Sequence, residues 1–231
     1  MRTPVDQDAI RSLFRRKKEL FGLVYEFNLL PAEYIHRTWI NTIISPILFE
    51  KIIQSKKGIK ALSQWILTQN NLSQDYYYDF IKPLFRLALL PSEMIKKLSL
   101  YCGIALNHKY ITAVINKHEK EKIIEKIGQE GYRFGVKTAP LLLGNYKSFT
   151  EVLSAKEDIK AFLERCGTIY FLESFSRAPR SLFKRLVFKL PKDIIQNQDL
   201  SFSSQEENLH WLFLRRILKH AIDPKWHHLF S

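Results

Sequence analysis

The side chains in this sequence that are best suited to bind a metal ion are four histidines near its C-terminus. They are His210, His220, His227 and His228. Imidazole nitrogens bind zinc and other transition metals, so such a group is a candidate metal site. His227 and His228 are adjacent, however, and neighbouring side chains on a helix point about 100° apart, which suits a single metal ion poorly. We therefore expect no metal site.

The two cysteines, Cys102 and Cys166, are the next candidates for chemistry. They lie far apart, without the CxxC or Cys/His spacing of a zinc site and without the dense pattern of a disulfide framework. We expect both to be buried free thiols. The neighbouring carboxylates Glu206 and Glu207 fit the start of a helix better than a catalytic acid/base pair.

Sequence motifs of the common enzyme classes are absent as well. The chain has no GxSxG elbow, no HExxH helix, no Walker phosphate loop and no GxGxxG dinucleotide loop. We therefore expect a protein that is not an enzyme and that binds no cofactor.

The basic charge of the chain is the strongest remaining indication of what it binds. The sequence carries 36 Lys and Arg against 23 Asp and Glu, which gives a formal net charge of +13. Nucleic acid, anionic lipid and an acidic protein surface would each balance such a charge. A basic helical nucleic-acid-binding protein is accordingly one hypothesis, although no recognition-helix or RNA-binding motif supports it.

The elements that must position these side chains are predicted to be helices. The 231 residues are 46% hydrophobic and include only 8 Gly and 9 Pro, a composition typical of a globular chain with long regular elements. We expect a mainly α, compact multi-helix domain over residues 1–231. Residues 128–150 are the least regular region, where we expect a subdomain boundary and consider a short strand or hairpin.

The N-terminal region predicts a basic amphipathic helix from Asp8 to Phe27. Its apolar residues keep helical spacing, and Arg11, Arg15, Arg16 and Lys18 lie on the opposite side. A surface helix with its apolar face in the core is the favoured interpretation, and an interfacial helix of a peripheral membrane protein is the alternative. No signal-peptide pattern or spanning apolar stretch is visible there, so we expect a soluble cytosolic protein.

Two further segments raise questions of secondary structure. The stretch "QDYYYDFIKPLFRLALL" after Ser73 predicts a helix that Pro83 kinks, or whose start Pro83 shifts. The stretch "SLFKRLVFKLPK" favours a helix over a strand for residues 182–190, and Pro191 ends either element. Lys184, Arg185 and Lys189 lie outside the apolar stripe of that helix, so we expect them to be exposed and available to a partner.

Three stretches, taken together, resemble the SctK family, also called YscK. They are "FNLLPAEYIH", "FLESFSRAPRSLFKRLVFKLP" and the terminal "LKHAIDPKWHHLFS", and "LSLYCGIALNHKYI" resembles the central helix of the same family. The terminal residues are too apolar for a frayed tail and are expected to pack on the body. The resembling positions to which we assign a structural role are Pro31, Tyr34, Gly103, Leu186, Pro191, Leu229 and Phe230.

The resemblance implies a place in the sorting platform of a bacterial type III secretion system, the cytosolic assembly beneath the virulence-associated injectisome. It implies an adaptor that links the cytosolic domain of the inner-membrane ring protein SctD to the pod protein SctQ, and through SctQ to SctL and the ATPase SctN. The implied location is the bacterial cytoplasm, at the cytosolic face of the inner membrane. Our candidate partner-binding residues are Arg11, Arg15, Arg16, Lys18, His36, Lys184, Arg185, Lys189 and His228.

Overall fold

A computed structural model of the chain describes residues 7–16, 18–41, 43–143, 158–196 and 207–230. The regular elements within these ranges are all helical, which confirms the mainly α prediction. No helix in the same ranges is long and apolar enough to cross a membrane. The α-helices are α1 (Gln7–Arg16), α2 (Lys18–Leu29), α3 (Pro46–Ile53), α4 (Lys56–Gln69), α5 (Pro83–Arg86), α6 (Ser92–Leu106), α7 (His108–Ala113), α8 (Lys117–Arg133), α9 (Ala139–Leu143), α10 (Ile159–Glu173), α11 (Arg180–Phe188), α12 (Lys192–Gln196) and α13 (Glu207–Ala221).

Short helical turns of other kinds extend these elements. A π-helical turn, Phe134–Thr138, joins α8 to α9 without leaving helical structure. The turns of 3-10 helix are Pro31–Glu33, Arg37–Trp39, Leu87–Leu89 and Pro224–Phe230. Within the stretch "FNLLPAEYIH", Pro31 begins a single turn of 3-10 helix.

The chain divides into two compact units. Unit 1 holds the described residues of Met1–Ser92, Ala178–Asp199 and His228–Ser231, and unit 2 holds those of Glu93–Arg177 and Leu200–His227. Helices α11 and α12 therefore return to unit 1 after the chain has formed most of unit 2. The single domain over 1–231 and the boundary near 128–150 stay predictions.

Unit 1 packs its core around α2. Leu20, Val24 and Phe27 of this helix are buried, and the Phe27 ring lies edge-on to Phe80 with 5.9 Å between their centroids. Serine caps fix the helices that surround it, since Ser45 and Ser55 accept hydrogen bonds from the first turns of α3 and α4. The core is completed by Leu62, Ile66, Leu72, Leu84, Leu87, Leu182, Leu186 and Phe188.

Unit 2 is centred on a close crossing of α6 and α10. A Cβ atom at Gly103 would lie 1.8 Å from the Leu163 carbonyl oxygen, and one at Gly167 would lie 1.7 Å from the Ser99 carbonyl oxygen. Two glycines thus let the helix backbones touch where any side chain would hold them apart. Cys102 and Cys166, which precede these two glycines in the sequence, are buried free thiols, as expected. Burial raises the pKa of Cys102.

Of the two alternatives for "QDYYYDFIKPLFRLALL", the helix whose start Pro83 shifts is confirmed, and the longer helix kinked at Pro83 is wrong. Residues 75–81 are not helical, and α5 begins only at Pro83. Lys82 is held in an extended conformation, with φ −67° and ψ 122°, because the proline ring that follows disfavours helical geometry at the preceding residue.

The strand or hairpin considered for residues 128–150 is wrong for residues 128–143, which are helical apart from a kink at Gly128. Gly128 has φ 79°, a value that favours glycine. Residues 144–150 lie outside the described ranges. Asp158 caps α10, since its carboxylate accepts a hydrogen bond from the Ala161 N–H group at 3.3 Å.

Candidate interaction surfaces

The basic residues predicted near the N-terminus lie on α1 and α2, between which residue 17 lies outside the described ranges. Arg11 and Arg15 belong to α1 and Lys18 begins α2, and all three are exposed. Arg11 lies 3.4 Å from Asp8, a solvent-exposed pair with little effect on stability. The side chain of Arg16 lies outside the described part of the structure. The three described cations are thus accessible to a partner.

The helix predicted for residues 182–190 is confirmed as α11, and the strand alternative is wrong. Our expectation that its basic residues are exposed is also wrong for Arg185 and Lys189, which are only 0% and 5% exposed. Lys184 is half-buried, and its ammonium group donates to the Asn70 carbonyl oxygen at 3.2 Å. Burial lowers the pKa of Lys184. The interior must therefore supply partners for these cations.

Arg185 is held by main-chain carbonyl groups of unit 1. Its guanidinium donates to the carbonyl oxygens of Asp75 at 2.7 Å and of Leu72 and Ser181 at 3.1 Å. Two longer bonds of 3.4 Å reach the Asn28 carbonyl oxygen. Burial lowers the pKa of Arg185, while nearby negative charge, including that of Asp75, opposes the shift. A planar fork with five donors suits this set of acceptors, which a lysine could not reproduce.

Asn28 of α2 fixes the same non-helical segment from another side. Its side-chain amide donates to the Tyr77 carbonyl oxygen at 2.7 Å, and its oxygen accepts the Tyr77 N–H bond at 2.8 Å. Asn28 therefore pairs with Tyr77 as a neighbouring strand would. Because two buried polar side chains satisfy its backbone, the segment after α4 can remain ordered without being helical.

Lys189 lies in an aromatic pocket of unit 1. Its ammonium group donates to the Leu90 carbonyl oxygen at 2.7 Å and lies 4.9 Å from the Tyr34 ring centroid and 5.5 Å from that of Phe27. Burial lowers the pKa of Lys189 to about 7. Tyr34, whose hydroxyl donates to the Phe27 carbonyl oxygen at 2.7 Å, thus serves packing here.

Arg86 is a buried cation that we did not predict. It donates to the carbonyl oxygens of Phe80 at 2.7 Å, Ile81 at 2.9 Å and Leu229 at 2.8 Å. The bond to Leu229 anchors the C-terminal turn, in which Leu229 and Phe230 are buried as expected. The sequence feature that could have predicted this buried cation is the single arginine within the apolar run "PLFRLALL". A charged side chain in such a run needs hydrogen-bond acceptors inside the protein.

The two candidate histidines have local partners. The His36 ring lies 2.9 Å from the Thr38 hydroxyl, and its backbone N–H donates to the Phe188 carbonyl oxygen at 2.6 Å. His228 is exposed, and its Nε2 lies 2.7 Å from a Glu19 carboxylate oxygen. Across the described ranges, no cluster of three or more His, Cys, Asp and Glu side chains is placed to hold a metal ion.

The residues that carry the family resemblance lie mostly in the interior. Pro31 is buried at the start of its 3-10 turn, Leu186 is fully buried in α11, and Pro191 is half-buried after it. Gly103 forms the helix crossing of unit 2. These positions therefore build the fold.

An aliphatic patch is among the exposed features of unit 1. Ile43, Ile47 and Leu48 lie around the start of α3 and are each more than half exposed. Lys51 is exposed on the next turn of the same helix. Exposed apolar groups next to a positive charge are typical of a docking surface.

Comparison with known proteins gives a family match and a structural match. The family model described as YOP proteins translocation protein K (YscK) matches residues 23–231. The cytoplasmic domain of the T3SS sorting platform protein PscK from P. aeruginosa has a similar fold, with a TM-score of 0.61 and 23% identity over 88% of this chain and 97% of that one. No curated protein matches the chain.

Proposed function

Because the chain belongs to the YscK family, we propose that it is a non-enzymatic adaptor of a bacterial type III secretion sorting platform. In this role it links the cytosolic domain of an SctD-like ring protein to an SctQ-like pod protein, and through the latter to SctL- and SctN-like proteins. It acts in the cytoplasm, at the inner face of the membrane once assembled. The observation that carries the proposal is the family match over residues 23–231.

The surface chemistry of unit 1 supports this function. An adaptor needs accessible faces, and unit 1 presents the cations of α1 and α2 and the aliphatic patch of α3. Opposite electrostatic potentials steer two proteins together and set their orientation. We therefore propose that Arg11, Arg15 and Lys18 belong to the SctD-facing surface. Arg185 and Lys189 are buried, so they contribute by holding unit 1 together.

A pull-down from native cytosol and membrane fractions at two salt concentrations tests the adaptor. The wild-type chain should recover SctD-like and SctQ-like proteins. A variant with Arg11, Arg15 and Lys18 changed to Glu should lose the SctD-like protein first, and the loss should grow as salt falls because like charges are less screened. The matched control changes the exposed Lys109, Lys117 and Lys122 of unit 2 to Glu and should retain both partners.

The same samples distinguish the adaptor from a basic nucleic-acid-binding protein. Nuclease treatment before elution should leave the recovered proteins unchanged. A sample that contains nucleic acid alone and is emptied by nuclease would contradict the adaptor and favour the alternative, for which a steep loss of binding with salt is the expected signature.

A further inference from the structure

Unit 1 contains a groove between α2, α4 and the non-helical segment after α4. Its volume is about 300 Å³. Leu29, Leu30 and Leu67 form its apolar lining, and the rings of Tyr25 and Tyr76 also line it. We call it the α2–α4 groove. This volume lies at the small end of ligand sites, so it suits one or two large side chains rather than a whole cofactor.

Aromatic groups around the α2–α4 groove are left in solvent. Tyr25 is 45% exposed and Tyr76 is 41% exposed. Phe21, one turn before Tyr25 on α2, is 63% exposed, and the Tyr78 ring lies 6.2 Å from that of Tyr76. A concave apolar surface with tyrosines at its margin has the composition of a protein-binding site.

The charge along one side of the groove is positive. Lys60 lines the groove, and Lys56 and Lys57 precede it by four and three residues on α4, so all three share one face of that helix. The three lysines are exposed, and no ion pair is described for them within the ranges given above. Asp75, the residue before Tyr76, instead acts electrostatically on Lys184 and Arg185.

Hydrogen bonds from buried side chains of unit 1 hold the segment that carries Tyr76. The residue before Tyr76 accepts a hydrogen bond from Arg185, and the residue after it is paired through its backbone with Asn28. Because these bonds are already made in the free protein, a ligand would not have to order the segment. Such pre-organisation increases affinity by lowering the entropic cost of binding.

We propose that the α2–α4 groove binds an acidic amphipathic helix of a partner protein. One or two apolar side chains of that helix enter between Tyr25 and Tyr76, and its carboxylates lie against Lys56, Lys57 and Lys60. Helices that bind in grooves use apolar anchors spaced by one turn, with polar groups along the rim. The inference rests on the proposed function in taking the occupant to be a sorting-platform protein, and adds the place and the chemistry of contact.

This inference is tested by site-specific photo-crosslinking. The experiment uses cells of the source organism, which produce the whole secretion apparatus. The photoreactive residue p-benzoylphenylalanine replaces Tyr25 or Tyr76 in the full chain, and it replaces the exposed Tyr110 of unit 2 as the matched control. Mass spectrometry should identify one acidic, helix-forming peptide of an SctD-like or SctQ-like protein at both groove positions and not at Tyr110.

A binding measurement then checks the charges. The crosslinked peptide is synthesised with a fluorescent label and titrated with wild-type chain, with Lys60→Glu and with the control Lys122→Glu. We expect Lys60→Glu to weaken binding about tenfold at low salt and Lys122→Glu to leave it unchanged. Equal melting temperatures of the three proteins exclude a folding defect.

The remaining outcomes contradict the inference in distinguishable ways. Recovery of both partners without crosslinks at Tyr25 and Tyr76 overturns the groove and leaves the adaptor intact. A crosslinked dimer of this chain, or a neutral or basic peptide, overturns the acidic helix as occupant. If neither partner is recovered with the wild-type chain, the proposed function fails and the inference fails with it.

Discussion

Buried cations bound by carbonyl groups distinguish unit 1 at the scale of single residues. Among the described residues, Arg86, Arg185 and Lys189 are buried, and each donates to main-chain oxygens. An unpaired buried charge is costly. Several carbonyl oxygens converge on each arginine, and one carbonyl oxygen and two aromatic rings surround Lys189. These side chains tie α11, the C-terminal turn and the segment after α4 to the same unit.

Replacement of Arg185 should therefore destabilise the protein more than any change of an exposed cation. Arg185→Leu removes the guanidinium that donates to the carbonyl oxygens of Asp75 and Leu72, and we expect the free energy of unfolding to fall by about 3 kcal/mol. Urea unfolding followed by circular dichroism measures the change. Arg180→Leu, an exposed change on the same helix, is the control. Equal unfolding midpoints for both variants would show that the buried network contributes little.

Lys189 should make stability depend on pH. Its pKa of about 7 in the folded protein lies below the value of about 10.4 in an unfolded chain. Between these values the unfolded chain binds more protons, so the free energy of unfolding should rise from pH 7 toward pH 9.5 and be lowest below pH 7. Urea unfolding at several pH values tests this. Lys189→Met should flatten the rise, Lys96→Met should retain it, and a rise unchanged in Lys189→Met would refute the assignment.

At the scale of elements, periodicity predicted which segments are helical better than which face is buried. The apolar spacing of "SLFKRLVFKLPK" located α11 correctly. The same spacing placed Arg185 outside, because a pattern of residue types cannot show that carbonyls from distant segments will converge on a guanidinium. The longer helix over the segment after α4 was wrong for a related reason: the backbone bonds of that segment are made by Asn28 and Arg185, far away in sequence.

The crossing of α6 and α10 gives a sharp test at this scale. Gly103→Ala places a methyl group against the Leu163 carbonyl, so the helices must separate, and we expect a loss of about 3 kcal/mol in unfolding free energy. Gly22→Ala in α2 is the matched control. Nothing lies within 4 Å of its Cβ position, so it should stabilise the protein by about 0.5–1 kcal/mol through helix propensity.

Thermal unfolding of the two variants measures both effects. A lower melting temperature for Gly103→Ala and a higher one for Gly22→Ala support the close crossing. An equal melting temperature for Gly103→Ala and the wild-type protein would contradict the close crossing of the two helices.

At the scale of the whole molecule, the fold class and the family could be predicted from the sequence, whereas the binding surfaces could not. Pro31, Leu186 and Leu229 supported the resemblance and proved to be buried, which is consistent with core positions being constrained by packing. Exposed apolar residues such as Tyr25 and Ile47 have the same identities as core residues. Only a structure shows that they reach solvent, so the groove and the aliphatic patch could not be predicted.

The adaptor itself is tested most directly by the mass of the complex in solution. The purified, nuclease-treated chain is mixed with the cytosolic domain of the SctD-like protein and with the SctQ-like protein, and light scattering coupled to size-exclusion chromatography measures the mass of each species. We predict a ternary complex that requires this chain, since the two partners alone should elute separately. Binding to one partner only, or mutually exclusive binding of the two, would contradict the adaptor function.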